Sequence, residues 1–361
     1  MKMKKNASSL TVLSLALALT ACSDAAQDSA NQDAASMDYP ASKFDMSHWS
    51  LTLPVDDDND GAGDVIHPNA LATYVHPDYF YLDEQDRLVF MSQNVAAVEV
   101  TSTNTRSELR YESAGGEKNI GEGDPRNNFA LAAKSDSDKF ASIGGKMEAT
   151  LHVDHVSKNA GYPNKEPAYS TVIGQIHAYQ FPTQENNAGW GNEPLKISYK
   201  KWPNHEYGSV FWQYERNLDF KDPDRIDVDY LVWGEPWTSD KDPGESGIAL
   251  GEEFSYTVNV HENTMHLTFT TARHDTVTHS IDLSNNIDVN GKPDTKDNPK
   301  GYTDDYLYFK AGNYNQCSSK DAPTFRYPNC PGTGILEQDV KDGNYSKSTF
   351  SRLVVGPSEP M

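Results

Sequence analysis

The sequence predicts an all-β fold, a sandwich or barrel of antiparallel strands, on three observations. Apolar residues recur with period two in many short segments, the pattern of a strand with one buried face. Gly, Asn, Asp and Pro punctuate those segments at short intervals. No segment carries a long apolar stripe of helical period, and no internal repeat is found. With 19 Tyr, 13 Phe and 6 Trp in 361 residues the chain can bury a sizeable core, which excludes general disorder. No shift in composition marks a second folded domain, so residues 39–361 read as one.

The elements follow in order. Trp49-Ser50-Leu51-Thr52-Leu53-Pro54 alternates and is closed by proline, a first strand. Residues 79–91 read as a hairpin turning at 84–86. Met147, Ala149, Leu151 and Val153 form one face of a further strand, and residues 210–214 and 226–233 continue the pattern. Phe254, Tyr256, Val258 and Val260 alternate up to a turn at Glu262-Asn263, after which come Met265, Leu267 and Phe269. Residues 350–355 make the last strand. Long polar segments at 112–145, 157–170 and 284–303 interrupt the strands; in a compact β domain such loops are usually functional rims.

Lys2, Lys4 and Lys5 followed by the apolar run 10–19, too short to span a bilayer, read as an export signal over residues 1–21. The run ends in Leu19-Thr20-Ala21-Cys22, which resembles a bacterial lipobox. That resemblance implies that Cys22 becomes the lipidated first residue of the mature chain; an ordinary cleaved signal with an incidental cysteine is the alternative. Ser23 behind it points to the outer membrane, and the Ala-, Ser- and Asp-rich residues 22–38 read as a flexible tether. Cys317 and Cys330 are then left together in an oxidising compartment and are expected to form a disulfide, two free thiols being the alternative. The 31 Lys and Arg against 53 Asp and Glu give a net charge of −22, which argues against nucleic acid as a partner. A polyanionic substrate stays open, because a cationic stripe can sit inside an acidic surface.

Four stretches carry chemistry. In residues 306–316, Tyr306, Tyr308, Lys310, Gly312, Tyr314 and Gln316 share one strand face, while Leu307, Phe309 and Ala311 share the other, with the strand expected to end at Asn313. Phenols around an ammonium suit the wall of a cleft for a negatively charged sugar chain; a solvated face would show Thr, Ser, Glu and Lys. Arg106, Glu108 and Arg110 share a face, and two guanidiniums flanking a carboxylate can cradle a uronate while the carboxylate holds the fork. A cross-strand ion-pair ladder is the bland alternative. Gln175 and His177 point away from the core side of Ile176, an amide and an imidazole able to bind a carboxylate and take a carbon-bound proton, although a lone His is more often structural. Lys196 opens a further strand as an added cation. Asp56, Asp58 and Asp60 before Gly61 look like half a calcium loop, but His67 stands where its glutamate belongs, so a solvated acidic turn is preferred over a structural calcium.

The Arg-Ser-Glu-Leu-Arg, Gln-Ile-His and Tyr-Phe-Lys-Ala-Gly-Asn-Tyr-Asn-Gln segments together resemble the three signature motifs of polysaccharide lyase family 7, the alginate lyases, in that family's order. The resemblance spans roughly residues 39–355. It implies a jelly-roll β-sandwich of two antiparallel sheets whose concave sheet is the substrate cleft. It also implies cleavage of 1,4-linked uronate polymers by β-elimination, leaving 4,5-unsaturated oligosaccharides, with no cofactor required. It assigns Arg106, Gln175, His177 and Tyr314 to catalysis and Glu108, Arg110 and Lys310 to shaping or binding; the outward Lys196, Tyr308 and Gln316 join them as binding candidates. Chemically, the C5 proton of a uronate is barely acidic until its carboxylate is neutralised, a task for Arg106 and Gln175. His177 suits the proton transfer from C5, and Tyr314 suits protonation of the departing O4. Ile176 between Gln175 and His177 goes, in that family, with acceptance of guluronate. The expected partner is alginate or a related polyuronate, acting on a monomer that meets the membrane only through its lipid. The rivals are a glucuronan lyase, a non-catalytic uronate-binding jelly roll, and a glycoside hydrolase, which needs two carboxylates flanking the bond. Glu84-Gln85-Asp86 begins like such a hydrolase strand, but Val89 stands where the next glutamate belongs.

Overall fold

The computed structural model describes residues 38–181 and 189–361. The signal at 1–21, Cys22 and all but the last residue of the tether lie outside the described residues. The strands are β1 (Trp49–Thr52), β2 (Val65–Ile66), β3 (Phe80–Leu82), β4 (Leu88–Gln93), β5 (Asn104–Tyr111) and β6 (Phe129–Ala130). Next come β7 (Ser142–Ile143), β8 (Gly145–His155), β9 (Ser170–Ala178), β10 (Leu195–Lys200), β11 (Tyr207–Glu215) and β12 (Asp227–Trp233). The last are β13 (Ile248–Ala249), β14 (Phe254–His261), β15 (Thr264–Thr271), β16 (Val277–Asp282), β17 (Leu307–Ser318) and β18 (Tyr345–Gly356).

They form two sheets. The first runs β12-β11-β10-β9-β17-β5-β1-β2, with β13 on β11 and β6 on β17; the second runs β16-β15-β14-β8-β18-β4-β3. Every strand pairing is antiparallel except the two-residue contact of β6 with β7. The sheets close on a shared core of apolar side chains from their facing sides, with a few buried polar groups such as Ser107 and Asn313 among them. Leu109, Ile176, Ile197 and Phe309 come from the first sheet, and Phe90, Leu151, Val258 and Phe350 from the second. The Tyr256 hydroxyl crosses the gap to donate to the Ile173 carbonyl at 3.0 Å. Only glycine fits beside it, since a Cβ on Gly174 would lie 2.5 Å from that hydroxyl.

Most expected strands are present, and the 84–86 turn falls between β3 and β4 with Asp83 Oδ1 accepting from the Gln85 and Arg87 amides. Two features differ from expectation. β17 does not stop at Asn313 but continues to Ser318. Asn313 points inward, where its amide donates to Ser92 and Ser346 hydroxyls and its carbonyl accepts from Thr171, so buried partners override its weak strand preference. β16 was not anticipated; it is an edge strand paired on one side only, along β15. A short helix, α1 (Leu336–Asp342), ends on Gly343 in the left-handed conformation, φ 74°.

Candidate active site

Register decides which outward side chains meet. Tyr314 on β17 lies opposite Arg106 on β5, and Lys310 lies opposite Arg110. On the other flank Lys310 faces Gln175 of β9 and Tyr308 faces His177. Gln175 in turn faces Lys196 of β10. Three motifs far apart in sequence are thereby brought onto adjacent strands. They floor a cleft of about 820 Å³ that crosses the sheet from the β1–β2 turn to the segment before β12.

Glu108 is the buried hub. Its Oε2 receives Lys310 Nζ at 2.6 Å and Arg106 Nη1 at 3.1 Å, and its Oε1 accepts from the Gln175 amide. One carboxylate thus fixes three of the sequence-predicted groups, which is stronger support than a single fork would give. Arg106 also reaches Glu99 at 3.4 Å and Ser102 Oγ at 3.0 Å, and its guanidinium lies over the Tyr314 ring, 4.0 Å from the centroid. Arg110 lies over the Tyr308 ring at 4.1 Å and donates to the Glu122 carbonyl at 3.1 Å. The Nε of Arg106 and the Nε and Nη1 of Arg110 are buried without a hydrogen-bond partner among the described residues, and Glu112 Oε1 lies 3.9 Å from that Nη1.

His177 stacks on Tyr308, centroids 5.3 Å apart at 16°. Its Nδ1 donates to the Ala178 carbonyl at 2.6 Å, which fixes the tautomer and leaves Nε2 with a lone pair. Burial first, then Lys310 and Arg106, hold its pKa down at about 3, so the ring is neutral and its Nε2 lone pair can accept a proton. Tyr314 is in the opposite state. Burial, with Tyr327, raises its phenol well above the ordinary tyrosine value despite Arg106, and it keeps its proton. Burial also works against ionisation of Glu99, yet Arg106, then Lys310 and the Thr52 hydroxyl, bring it down to about 2.

Arg106, Arg110, His177, Tyr308, Lys310 and Tyr314 line the cleft. Gln175 and Glu108 lie beneath its floor; Gln175 spends its amide on Glu108, and its carbonyl oxygen has no partner among the described residues. Gln316 is buried and donates to the Tyr314 carbonyl at 3.2 Å. Lys196 is separated from the cleft by its own carboxylates, Asp227 at 2.9 Å, Glu193 at 3.2 Å and Glu215 at 3.9 Å. Among the wall residues that carry no sequence motif, Glu99 and Glu193 stand beside Arg106 and His177, and Trp190, Phe220 and Arg225 lie toward the β12 end. The exposed Phe220, followed by Lys221, was the one signal there to read.

Cys317 and Cys330 are bonded, Cα atoms 5.3 Å apart. The loop they close is held from outside by Lys165 Nζ on the Ala322 and Tyr327 carbonyls, 2.7 and 3.0 Å, and by the Tyr162 hydroxyl on Asp321. At the opposite cleft end Asp56, Asp58 and Asp64 bring carboxylate oxygens within 4.8 Å of one another. Asp60, expected to share such a group, instead accepts from the Ala62 amide at 2.8 Å, while Asp56 and Asp58 accept from Gly61 and Asp60 amides. Asp56 and Asp58 thus cap their own turn, while Oδ1 of Asp56 and Oδ1 of Asp64 are buried without a hydrogen-bond partner among the described residues.

A jelly-roll sandwich with an arginine, lysine, histidine and tyrosine cleft on its outward-facing sheet defines a polysaccharide lyase, the class that eliminates across a uronate without a carboxylate pair. Residues 44–357 match the family described as alginate lyase (Alginate_lyase2), and the chain belongs to it. An alginate lyase of Klebsiella pneumoniae is 35% identical over 292 residues, which cover 78% of this chain and 86% of that protein. The crystal structure of the Klebsiella pneumoniae alginate lyase superposes with a TM-score of 0.69 at 31% identity, covering 89% of this chain and 99% of the other. The exolytic PL7 alginate lyase AlyA5 of Zobellia galactanivorans gives a TM-score of 0.70 at 29% identity, covering 90% and 99%. The chain is an alginate lyase, and the expected fold class is borne out with it.

Proposed function

We propose that this alginate lyase cleaves guluronate-containing chains preferentially, with His177 as base, Tyr314 as acid, and Arg106 and Lys310 holding the substrate carboxylate. The observation that carries this is the opposed state of the two proton-handling groups: a neutral imidazole with a free Nε2 and a phenol held protonated. In guluronate the C5 proton and the O4 leaving group lie on opposite faces of the ring, so two residues are required. In mannuronate they share a face, and a lone tyrosine would have to begin as phenolate, which burial at Tyr314 opposes. Arg106, Lys310 and Arg110, which line the cleft, offset the charge that develops on the carboxylate as C5 loses its proton. Gln175 and Glu108 act from beneath as the support that keeps those cations in place.

The protein is to be given poly-guluronate, poly-mannuronate and glucuronan separately, with absorbance of the new double bond as readout. The account expects the highest kcat/KM on poly-guluronate; faster cleavage of poly-mannuronate overturns the preference, and glucuronan as the only substrate overturns the sugar class. The lipobox-like Leu19-Thr20-Ala21-Cys22 supports a lipid-anchored envelope protein at the outer membrane. Cys22→Ser should move it from the membrane to the soluble fraction, and an unchanged distribution sinks the anchor.

A further inference from the structure

Glu193 is absent from every motif, yet it lines the cleft and places Oε1 3.4 Å from His177 Nε2. The contact is at ion-pair distance, and no hydrogen bond joins the two groups. The other oxygen, Oε2, is held by Lys196 at 3.2 Å. We infer that Glu193 is a positioning residue that supports His177 as a base, and that Lys196 serves the reaction by holding Glu193 rather than by binding sugar.

This rests on the base role given to His177 above. In the proposed step the C5–H bond breaks, its electron pair stays on the sugar, and the proton forms a bond to Nε2. C4–O4 then breaks as the double bond forms, and O4 takes the proton of Tyr314; solvent later carries a proton from His177 to Tyr314. The first transfer creates an imidazolium in a wall that already carries Lys310 from β17 and Arg106 from β5. Both oppose the new charge. Of the anions around it, Glu108 is committed to Arg106, Lys310 and Gln175, and Glu99 to Arg106 and Thr52. Among the described residues, Glu193 is the one with an oxygen within ion-pair distance of Nε2. Burial opposes its ionisation, but Lys196, Glu215, Arg225 and Arg326 bring it to about 2, so it is anionic whenever the base works. Its attraction is slight for the neutral ring and full for the charged one, which is the differential that accelerates a step.

Glu193→Gln in the otherwise intact protein tests this through the pH dependence of kcat and KM on poly-guluronate. The expected result is a fall in kcat of at least ~10-fold, short of the ~10²–10⁴-fold attributable to a whole general base, with KM little changed. The acid limb of the kcat profile should move to lower pH, because losing the neighbouring anion lowers the pKa of His177. Glu193→Asp should recover part of both effects. Unchanged kcat with an unmoved limb overturns the inference, and so does a rise in KM alone, which would make Glu193 a sugar-binding group. A second readout is independent of turnover: the His177 ring nitrogens are titrated by NMR in Tyr314→Phe with and without Glu193→Gln. A lower pKa in the double variant supports the coupling, and an identical one refutes it. If His177→Ala keeps full guluronate cleavage, the base assignment fails instead, an outcome the ring titration does not share.

Discussion

Lys310 and Lys196 stand in one row across the first sheet, separated by Gln175, and they end in opposite situations. Lys310 shares one carboxylate, Glu108, with Arg106 and Gln175, Arg106 has Glu99 as a second anion, and Lys310 and Arg106 both line the cleft. Lys196 is ringed by Asp227, Glu193 and Glu215. Those carboxylates need Arg225 on Glu215, and Arg326 on Asp227 and Glu215, to reach balance. The first cluster is built around an anion and presents cations; the second is built around a cation and presents an anion, Glu193, to His177. Whether a lysine on an outward strand face is free for substrate is therefore decided by the carboxylates that register places beside it.

The comparison can be broken by removing each lysine in turn. Lys196→Met leaves buried carboxylates without their central cation and should destabilise the fold by about 3–5 kcal/mol, read by denaturant unfolding. Reduction of the Cys317–Cys330 bond should act on the same side, because the closed loop carries Arg326; a loss of about 2–4 kcal/mol is expected. Lys310→Met should do the reverse of Lys196→Met. Stability falls less, since Arg106 still pairs Glu108, while kcat/KM drops by ~10²-fold, as for removal of one donor that meets developing charge. Equal stability losses for the two lysine variants would erase the distinction between the clusters.

Much of the fold was legible because apolar residues recur at every second position in segments such as Met147–Val153, Phe254–Val260 and Leu307–Ala311, even though β10 and β17 of the first sheet are buried on both faces. The end of β17 was not. Asn313 reads as a strand breaker from local preference, and the hydroxyls of Ser92 and Ser346 that satisfy it come from distant parts of the chain. In the site, the period-two faces of residues 106–110, 175–177 and 306–314 placed the right side chains outward. The same rule could not separate Lys310 from Lys196, nor put Gln316 below the cleft, because pairing partners are set by strand order and register. Glu193 was invisible for the same reason: it precedes β10 in an irregular segment, and its meaning comes from β9 beside it.

The division of labour between His177 and Tyr314 is measured by the initial rates of His177→Ala and Tyr314→Phe on poly-guluronate and poly-mannuronate. Tyr314→Phe is expected to abolish cleavage of both polymers, since neither linkage can lose O4 without its proton. His177→Ala is expected to lose ~10²–10⁴-fold on poly-guluronate while its rate on poly-mannuronate falls far less. Equal losses for His177→Ala on the two polymers would contradict the account, and the histidine would then bind or orient the sugar instead of taking its proton.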